Sequence, residues 1–483
     1  MGILVFFLVI KATVLVSGIS VAYIIELPGG GLGGFNPPAS DISLVNDECW
    51  EKMLWSVYLL VVCCAATTLA YKSYEGYHVI RTKELQSIDE VKNVLPLTKL
   101  NDYNFFINPR IGSVVEILVG PEQTEHLQNT LTTLGLAPRV VVENFERELR
   151  KERKQIEEFS LQRNLLPSER YLNFDEIMEY IELVATTHPE IATIINIGNS
   201  WEGRPLRVLK LSNGPGKKAI LMESLIHARE WVGPPTILHA IHELTSNLLE
   251  NQALLDANDW YFLPVANPDG YVYSWTEDRL WRKTRRPNND SDCVGTDPNR
   301  NFDYKWQDGT TDKCSGSYHG SMPYSEPECE AIAKFILDHK EITFYLAVHS
   351  YGQLILLPWE AENQQNNDLK SVAEDAKQAI AAVNGTQYKV GTAHGVLSYF
   401  AHGTSFDWAY AKAGIRLSYT IELSPSFEKY NEQNFIMDSK QLPLINAECW
   451  EAYKAFVTHL PKTRREESEI EDVNSTTETT TFG

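Results

Sequence analysis

The chain is poor in basic charge. Against 64 Asp and Glu it sets only 43 Lys and Arg, a net charge of −21 over 483 residues. No Lys/Arg cluster outweighs that excess, so phosphate backbones and anionic lipid would be repelled rather than neutralised, which excludes nucleic acid as a partner. An internal period of 20–50 residues is also missing, which excludes solenoids and propellers. Cysteine is scarce, with seven in all, and the stretch 71–143 has none. The marks of general disorder are absent, since 43 % of residues are hydrophobic and 11 % aromatic, enough for a large core.

Two apolar runs stand at the N-terminus. The first, Ile3 to Ile25, is interrupted only by Lys11, and a Gly/Pro-rich stretch follows it. The second, Met53 to Ala70, ends in the small residues of a cleavage site, as an exported protein's signal peptide does. We read Met53 as the start, 53–70 as a signal peptide and 1–52 as a doubtful extension. The alternative is a signal-anchor over 3–25 that tethers the protein to a membrane. Removal of 1–70 leaves Cys293, Cys314, Cys329 and Cys449, an even number in a secreted chain, where disulfides are expected.

Residues 71–143 alternate short β-rich and helical segments. His78–Arg81, Tyr103–Ile107, Val114–Val119 and Arg139–Val142 read as strands. Ser87 to Glu90 is a capping box, and Leu127, Leu131 and Leu134 give a helix that Gly135 stops. The order β-α-β-β-α-β is that of a ferredoxin-like sandwich. It holds no cluster of catalytic residue types, so it suits a folding or inhibitory unit. Asn144 to Leu165 is a charged helix, read as a solvated connector that a trypsin-like protease cuts, after Arg163 or one of Arg150 to Lys154. From 171 to 461 strands and helices alternate as in one α/β domain around a central sheet. The tail 462–483 is acidic and Ser/Thr-rich, a composition that cannot bury a core.

Chemistry gathers in the α/β part. His227 and Glu230 lie three apart in a loop between the apolar run Ala219–Met222 and a helix opened by Pro234-Pro235. Imidazole and carboxylate together suit Zn²⁺, and a catalytic zinc takes three protein ligands. His349 ends another apolar strand, where α/β enzymes place their sites. Glu422 sits in the β-rich run 417–423, a costly place for a carboxylate without a function. Asn299-Arg300, in the run 297–301, suits bidentate capture of a carboxylate. Arg282 stands among several cations at 280–285.

In this order these motifs resemble the zinc metallocarboxypeptidases of the pancreatic and digestive A/B type, over residues 73–460. The resemblance implies a mixed-sheet α/β/α carboxypeptidase domain behind a ferredoxin-like α+β activation domain. It implies one zinc on His227, Glu230 and His349, with Glu422 as general base and Arg282 as oxyanion partner. Asn299, Arg300 and Tyr399 would hold the substrate carboxylate. Arg229, Ser350, Tyr351 and Phe435 match further substrate positions. The expected partners are peptides with a free C-terminus and an activating trypsin-like protease, and the expected state is a secreted monomer. A family bridge corresponds to Cys293–Cys314; Cys329–Cys449 is expected only because those two are left.

The resemblance places Phe406 at the floor of the specificity pocket. With no counter-ion for a basic end there, it implies release of aliphatic or aromatic residues. Glu360, in an altered Asn/Gln-rich loop, and His394 argue the other way, for Lys/Arg. Asn289, Asn384 and Asn474 lie in glycosylation sequons.

Overall fold

The computed structural model describes residues 10–16, 19–25, 71–100, 102–107, 109–162, 164–359, 366–397, 400–426 and 435–460. The expected signal peptide, Arg163, Glu360, Tyr399, Asn474 and the acidic tail lie outside the described residues. The chain divides into two units, Met1–Leu69 and Ala70–Gly483.

In the first unit, β1 (Ile10–Val16) and β2 (Ile19–Ile25) pair antiparallel, Ile10 opposite Ile25 and Val16 opposite Ile19. The described residues of the stretch read as a candidate anchor are therefore two paired strands and not a continuous helix. Among the described residues no helix is long and apolar enough to cross a membrane.

The second unit opens with β3 (His78–Arg81), α1 (Ile88–Val94), β4 (Tyr103–Ile107), β5 (Glu116–Val119), α2 (Pro121–Thr133) and β6 (Arg139–Val142). The strands pair antiparallel in the order β4-β5-β3-β6, the ferredoxin-like arrangement expected. Ser87 caps α1, its hydroxyl accepting from the Glu90 amide at 3.2 Å. Leu127 and Leu131 bury the inner stripe of α2.

α3 (Phe145–Ser160) departs from the solvated connector expected. Its cap is Asn144, and it buries Phe145, Glu146, Glu148, Leu149 and Glu152 along one side. Arg150, Lys151 and Lys154 remain exposed. Phe145 and Leu149 join a cluster with Phe106, Leu280, Tyr351 and Phe435, so the ferredoxin-like sheet and α3 are packed against the α/β part.

That part runs α4 (Phe174–Thr187), β7 (Ala192–Asn199), β8 (Pro205–Leu211), β9 (Lys218–Ser224), α5 (Gly233–Thr245), α6 (Leu248–Ala257), β10 (Asn258–Leu263), α7 (Pro268–Thr276), α8 (Pro327–Asp338), β11 (Ile342–Gly352), β12 (Leu354–Leu357), α9 (Asn367–Asn384), β13 (Lys389–Thr392), α10 (Ala393–Leu397), α11 (Ser405–Ala411), β14 (Leu417–Ser426) and α12 (Leu442–Val457). The eight strands order as β13-β12-β14-β11-β9-β10-β8-β7. The central β14, β11, β9 and β10 are parallel, while β7 to β8, β8 to β10 and β12 to β14 are antiparallel, a mixed sheet. The central strands are buried along nearly their whole length because both faces are covered. Ile220, Met222, Phe262 and Leu346 face one cluster with α5 and α12, whereas Leu221, Tyr261, Tyr345 and Ala347 face the other, with α8 and α11.

Those two faces correct one disulfide. Cys293 and Cys314 are bonded, as expected. Cys329 and Cys449 are both free and buried. Cys329 belongs to the α8 side of the sheet and Cys449 to the α12 side, so the sheet itself stands between them. A disulfide needs Cα atoms within about 7 Å.

Candidate active site

Three parallel strands end side by side at the site. β9 runs into the loop that carries His227 and Glu230; β11 carries His349 near its end; β14 places Glu422 directly opposite His349 in the register. Ligands at the carboxyl ends of parallel strands are where an open α/β sheet forms its crevice.

The side chains of His227, Glu230 and His349 converge, with one donor atom from each lying within 4.8 Å of the others. His227 Nδ1 is 2.8 Å from Glu230 Oε1, His349 Nδ1 is 3.0 Å from Glu230 Oε2, and the two Nδ1 atoms are 3.1 Å apart. All three residues are buried, at 4 %, 3 % and 1 % exposure, so water does not solvate this cluster. Two imidazoles and a carboxylate aimed at one point fit a Zn²⁺ with an open fourth position. Burial opposes ionisation of Glu230, but the imidazoles of His227 and His349 outweigh it and hold the carboxyl well below its usual range.

Asp297 stands behind this set. Its Oδ1 lies 3.1 Å from His227 Nε2, and its Oδ2 accepts from Arg282 Nη2 at 2.7 Å. A carboxylate on Nε2 fixes the tautomer that frees Nδ1 for a cation. Burial works against its charge, yet Arg282 and His227 hold Asp297 far below the usual carboxylate range. In the sequence 297–301 reads only as a carboxylate clamp; the place of Asp297 behind His227 comes from the fold, which joins residues 70 apart.

Glu422 keeps part of its surface open, but its carboxyl lies deep enough that burial pushes it up to about 8. Arg282 reaches toward Glu230, with Nη1 at 3.8 Å from Oε1. Asn299 Nδ2 lies 3.4 Å from His349 Nε2, and Asn299 Oδ1 accepts from the Ser405 amide at 2.9 Å. Arg300 Nη1 donates to the Asn299 carbonyl at 2.6 Å. The Arg300 backbone is packed on Gly403, at φ +68°, where an added Cβ would fall 2.3 Å from the Arg300 carbonyl oxygen.

The structure thus brings the three ligands, Glu422, Arg282 and Asn299-Arg300 to one place. A second group gathers beside it. The Arg229 guanidinium lies 4.1 Å over the Phe435 ring, and the Tyr351 ring meets Phe435 edge-on at 5.0 Å. Ser350 donates its amide to Glu230 Oε2 at 3.2 Å. Into this group the ferredoxin-like sheet inserts β4: Phe106 packs edge-on against Phe435 at 5.7 Å, and Arg229 Nη1 donates to Asn104 Oδ1 at 3.4 Å. Phe406 is fully buried in the apolar cluster with Phe302 and Trp408. His394 is half-buried and stacks on Phe400 at 4.4 Å.

The family profile described as zinc carboxypeptidase matches residues 177–452, more than half of the chain. The chain belongs to the zinc carboxypeptidases. The carboxypeptidase activation peptide profile matches residues 83–152, so this zinc carboxypeptidase is made as a zymogen. It is 33 % identical over 398 residues to zinc carboxypeptidase A 1 of Anopheles gambiae, covering 80 % of this chain and 90 % of that one. With carboxypeptidase B of Astacus astacus it shares 36 % identity over 301 residues, 61 % of this chain and 98 % of that one. The crystal structure of carboxypeptidase A from Helicoverpa armigera superposes with a TM-score of 0.74 at 30 % identity, covering 80 % of this chain and 98 % of that one. Relatives named A and B both match, so the family leaves the preferred C-terminal residue open.

Proposed function

We propose that this carboxypeptidase is a secreted monomeric zymogen which, once cut by a trypsin-like protease within 144–170, releases aliphatic or aromatic residues from peptide C-termini. On this reading 71–143 is the activation domain and 171–461 the catalytic domain. The signal peptide proposed at 53–70 would direct secretion. Exposed Arg150, Lys151 and Lys154 on α3 support the tryptic step, and β4 lying on Arg229 and Phe435 supports latency before it.

When bound at His227, Glu230 and His349, zinc supplies a Lewis acid that acidifies a water and polarises the scissile carbonyl. Asn299, Arg300 and Tyr399 would hold the terminal carboxylate, which restricts cleavage to a chain end. Arg229, Ser350, Tyr351 and Phe435 would line the peptide on the amino side. Glu422 would take the proton of the attacking water and pass it to the leaving amine. Arg282 would donate hydrogen bonds to the oxygen that becomes negative as the carbonyl is attacked.

The observation that carries the preference is Phe406, fully buried among apolar rings at the position proposed for the pocket floor. A substrate cation set against such a floor would lose its hydration without a partner. The test is hydrolysis of otherwise identical blocked dipeptides ending in Leu, Phe and Arg. The expected order places Leu or Phe first; fastest cleavage of the Arg substrate would overturn the preference.

A further inference from the structure

Beneath the metal ligands lies a carboxylate that the reaction above does not use. Glu223 ends β9, is 1 % exposed and has an oxygen, Oε2, with no hydrogen-bond partner. In the register of β9 and β11, Glu223 sits opposite Ala347. Its side chain therefore emerges on the same face as Ala347, between the side chains two residues to either side, Tyr345 and His349. Such diagonal neighbours lie about 7–8 Å apart at Cα, within reach of long side chains. Tyr345 takes one half of the carboxylate, its hydroxyl donating to Oε1 at 2.6 Å, and the Ser405 hydroxyl approaches the same oxygen at 3.4 Å. The other oxygen, Oε2, is left without a donor.

His349 has the complementary deficit. Its Nδ1 points at Glu230 and at His227 Nδ1, so that nitrogen must give its lone pair to the cation and Nε2 must carry the proton. Nε2 lies 3.4 Å from the Asn299 amide nitrogen, which is itself a donor. Turning the Asn299 amide over would present that nitrogen to the Ser405 N–H, which Oδ1 now accepts at 2.9 Å. The Nε2–H thus lacks an acceptor while Glu223 Oε2 lacks a donor.

Resting on the zinc reading above, we infer that Glu223 is a positioning residue for His349, its Oε2 taking the Nε2–H through one buried water and so fixing the tautomer and raising the basicity of the ligating Nδ1. A buried water bridging two otherwise unsatisfied groups is a normal structural element. The site then has two such supports, Asp297 on His227 and Glu223 on His349, one from a loop and one from the sheet.

The experiment is zinc affinity of the full chain, measured by chelator competition, for the native protein, Glu223→Gln and Glu223→Asp, with the visible spectrum of the cobalt-substituted forms. Outer partners of ligating histidines change metal affinity by about 10–100-fold. Glu223→Gln removes the charge and is expected to weaken zinc at least ~10-fold and shift the cobalt bands, while the melting temperature of the metal-free chain stays or rises because a buried charge is gone. Glu223→Asp keeps the charge and should lose less; it serves also if the Gln variant does not fold. Equal affinity and an unshifted spectrum for the Gln variant, or a greater loss for Asp than for Gln, would overturn the inference and leave the zinc site standing. A native chain that takes up no zinc would overturn both.

Discussion

Glu152 on α3 grips Arg279 with both carboxylate oxygens, at 2.7 Å to Nε and 2.9 Å to Nη2, in a setting almost closed to solvent. The same guanidinium donates to the carbonyls of Arg229, at 2.9 Å, and Phe435, at 2.7 Å. One buried fork therefore ties the helix proposed to be cleaved to two residues proposed to bind substrate. Breaking a buried pair by removing one partner costs about 3–5 kcal/mol. A protease must unwind α3 before cutting at 150–154, so Glu152→Gln should be cut by trypsin at least ~10-fold faster than the native zymogen. Equal initial rates would show that the pair does not hold the helix.

Glu422→Gln should retain zinc and lose ~10²–10⁴-fold in turnover, the usual weight of general acid–base catalysis. A variant with near-native turnover would exclude Glu422 as the base. Chelation should abolish activity and added zinc restore it.

The pH profile follows from the same residue. Burial raises the Glu422 carboxyl from 4.5 to about 8, and a bound cation works in the opposite sense. The base must be ionised, so kcat/KM should fall as pH drops through a value between 4.5 and about 8. An acidic limb below 4.5 would contradict a desolvated base.

Asp297→Asn keeps the shape behind His227 and removes the charge shared with Arg282. Zinc affinity should drop by about 10–100-fold, and the apparent KM should change less than kcat, because the oxyanion partner loses its support. Unchanged affinity by chelator competition would contradict the role of Asp297 in orienting His227.

Cysteine mapping gives a separate check on the fold. Cys293 and Cys314 should be recovered as one linked peptide pair, while Cys329 and Cys449 should alkylate only after denaturation, being buried on opposite faces of the sheet. Recovery of a Cys329–Cys449 peptide would mean the sheet is not as described.

Local pattern alone placed most of this protein. Ser87 announced α1, the Leu127–Leu131 spacing announced α2, and alternating apolar runs announced the order of strands and helices on both sides of α3. The ligand set was legible too, because His227 and Glu230 share one loop and His349 ends one strand. Periodicity and short motifs live within a few residues, so they survive without the fold. β10, with its polar start Asn258-Asp259, and the short β12 and β13 were not read from the sequence: β10 and β12 are buried at every residue and show no alternation, and β13 is four residues with a glycine among them. What faces what was decided by tertiary structure alone. The buried side of α3, the partner of Arg279, the place of Asp297 behind His227 and the separation of Cys329 from Cys449 all depend on segments far apart in the chain, 70 residues for Asp297 and His227 and 127 for Glu152 and Arg279, or on which face of the sheet a side chain leaves. One residue of register reverses that face, and only the assembled sheet sets the register.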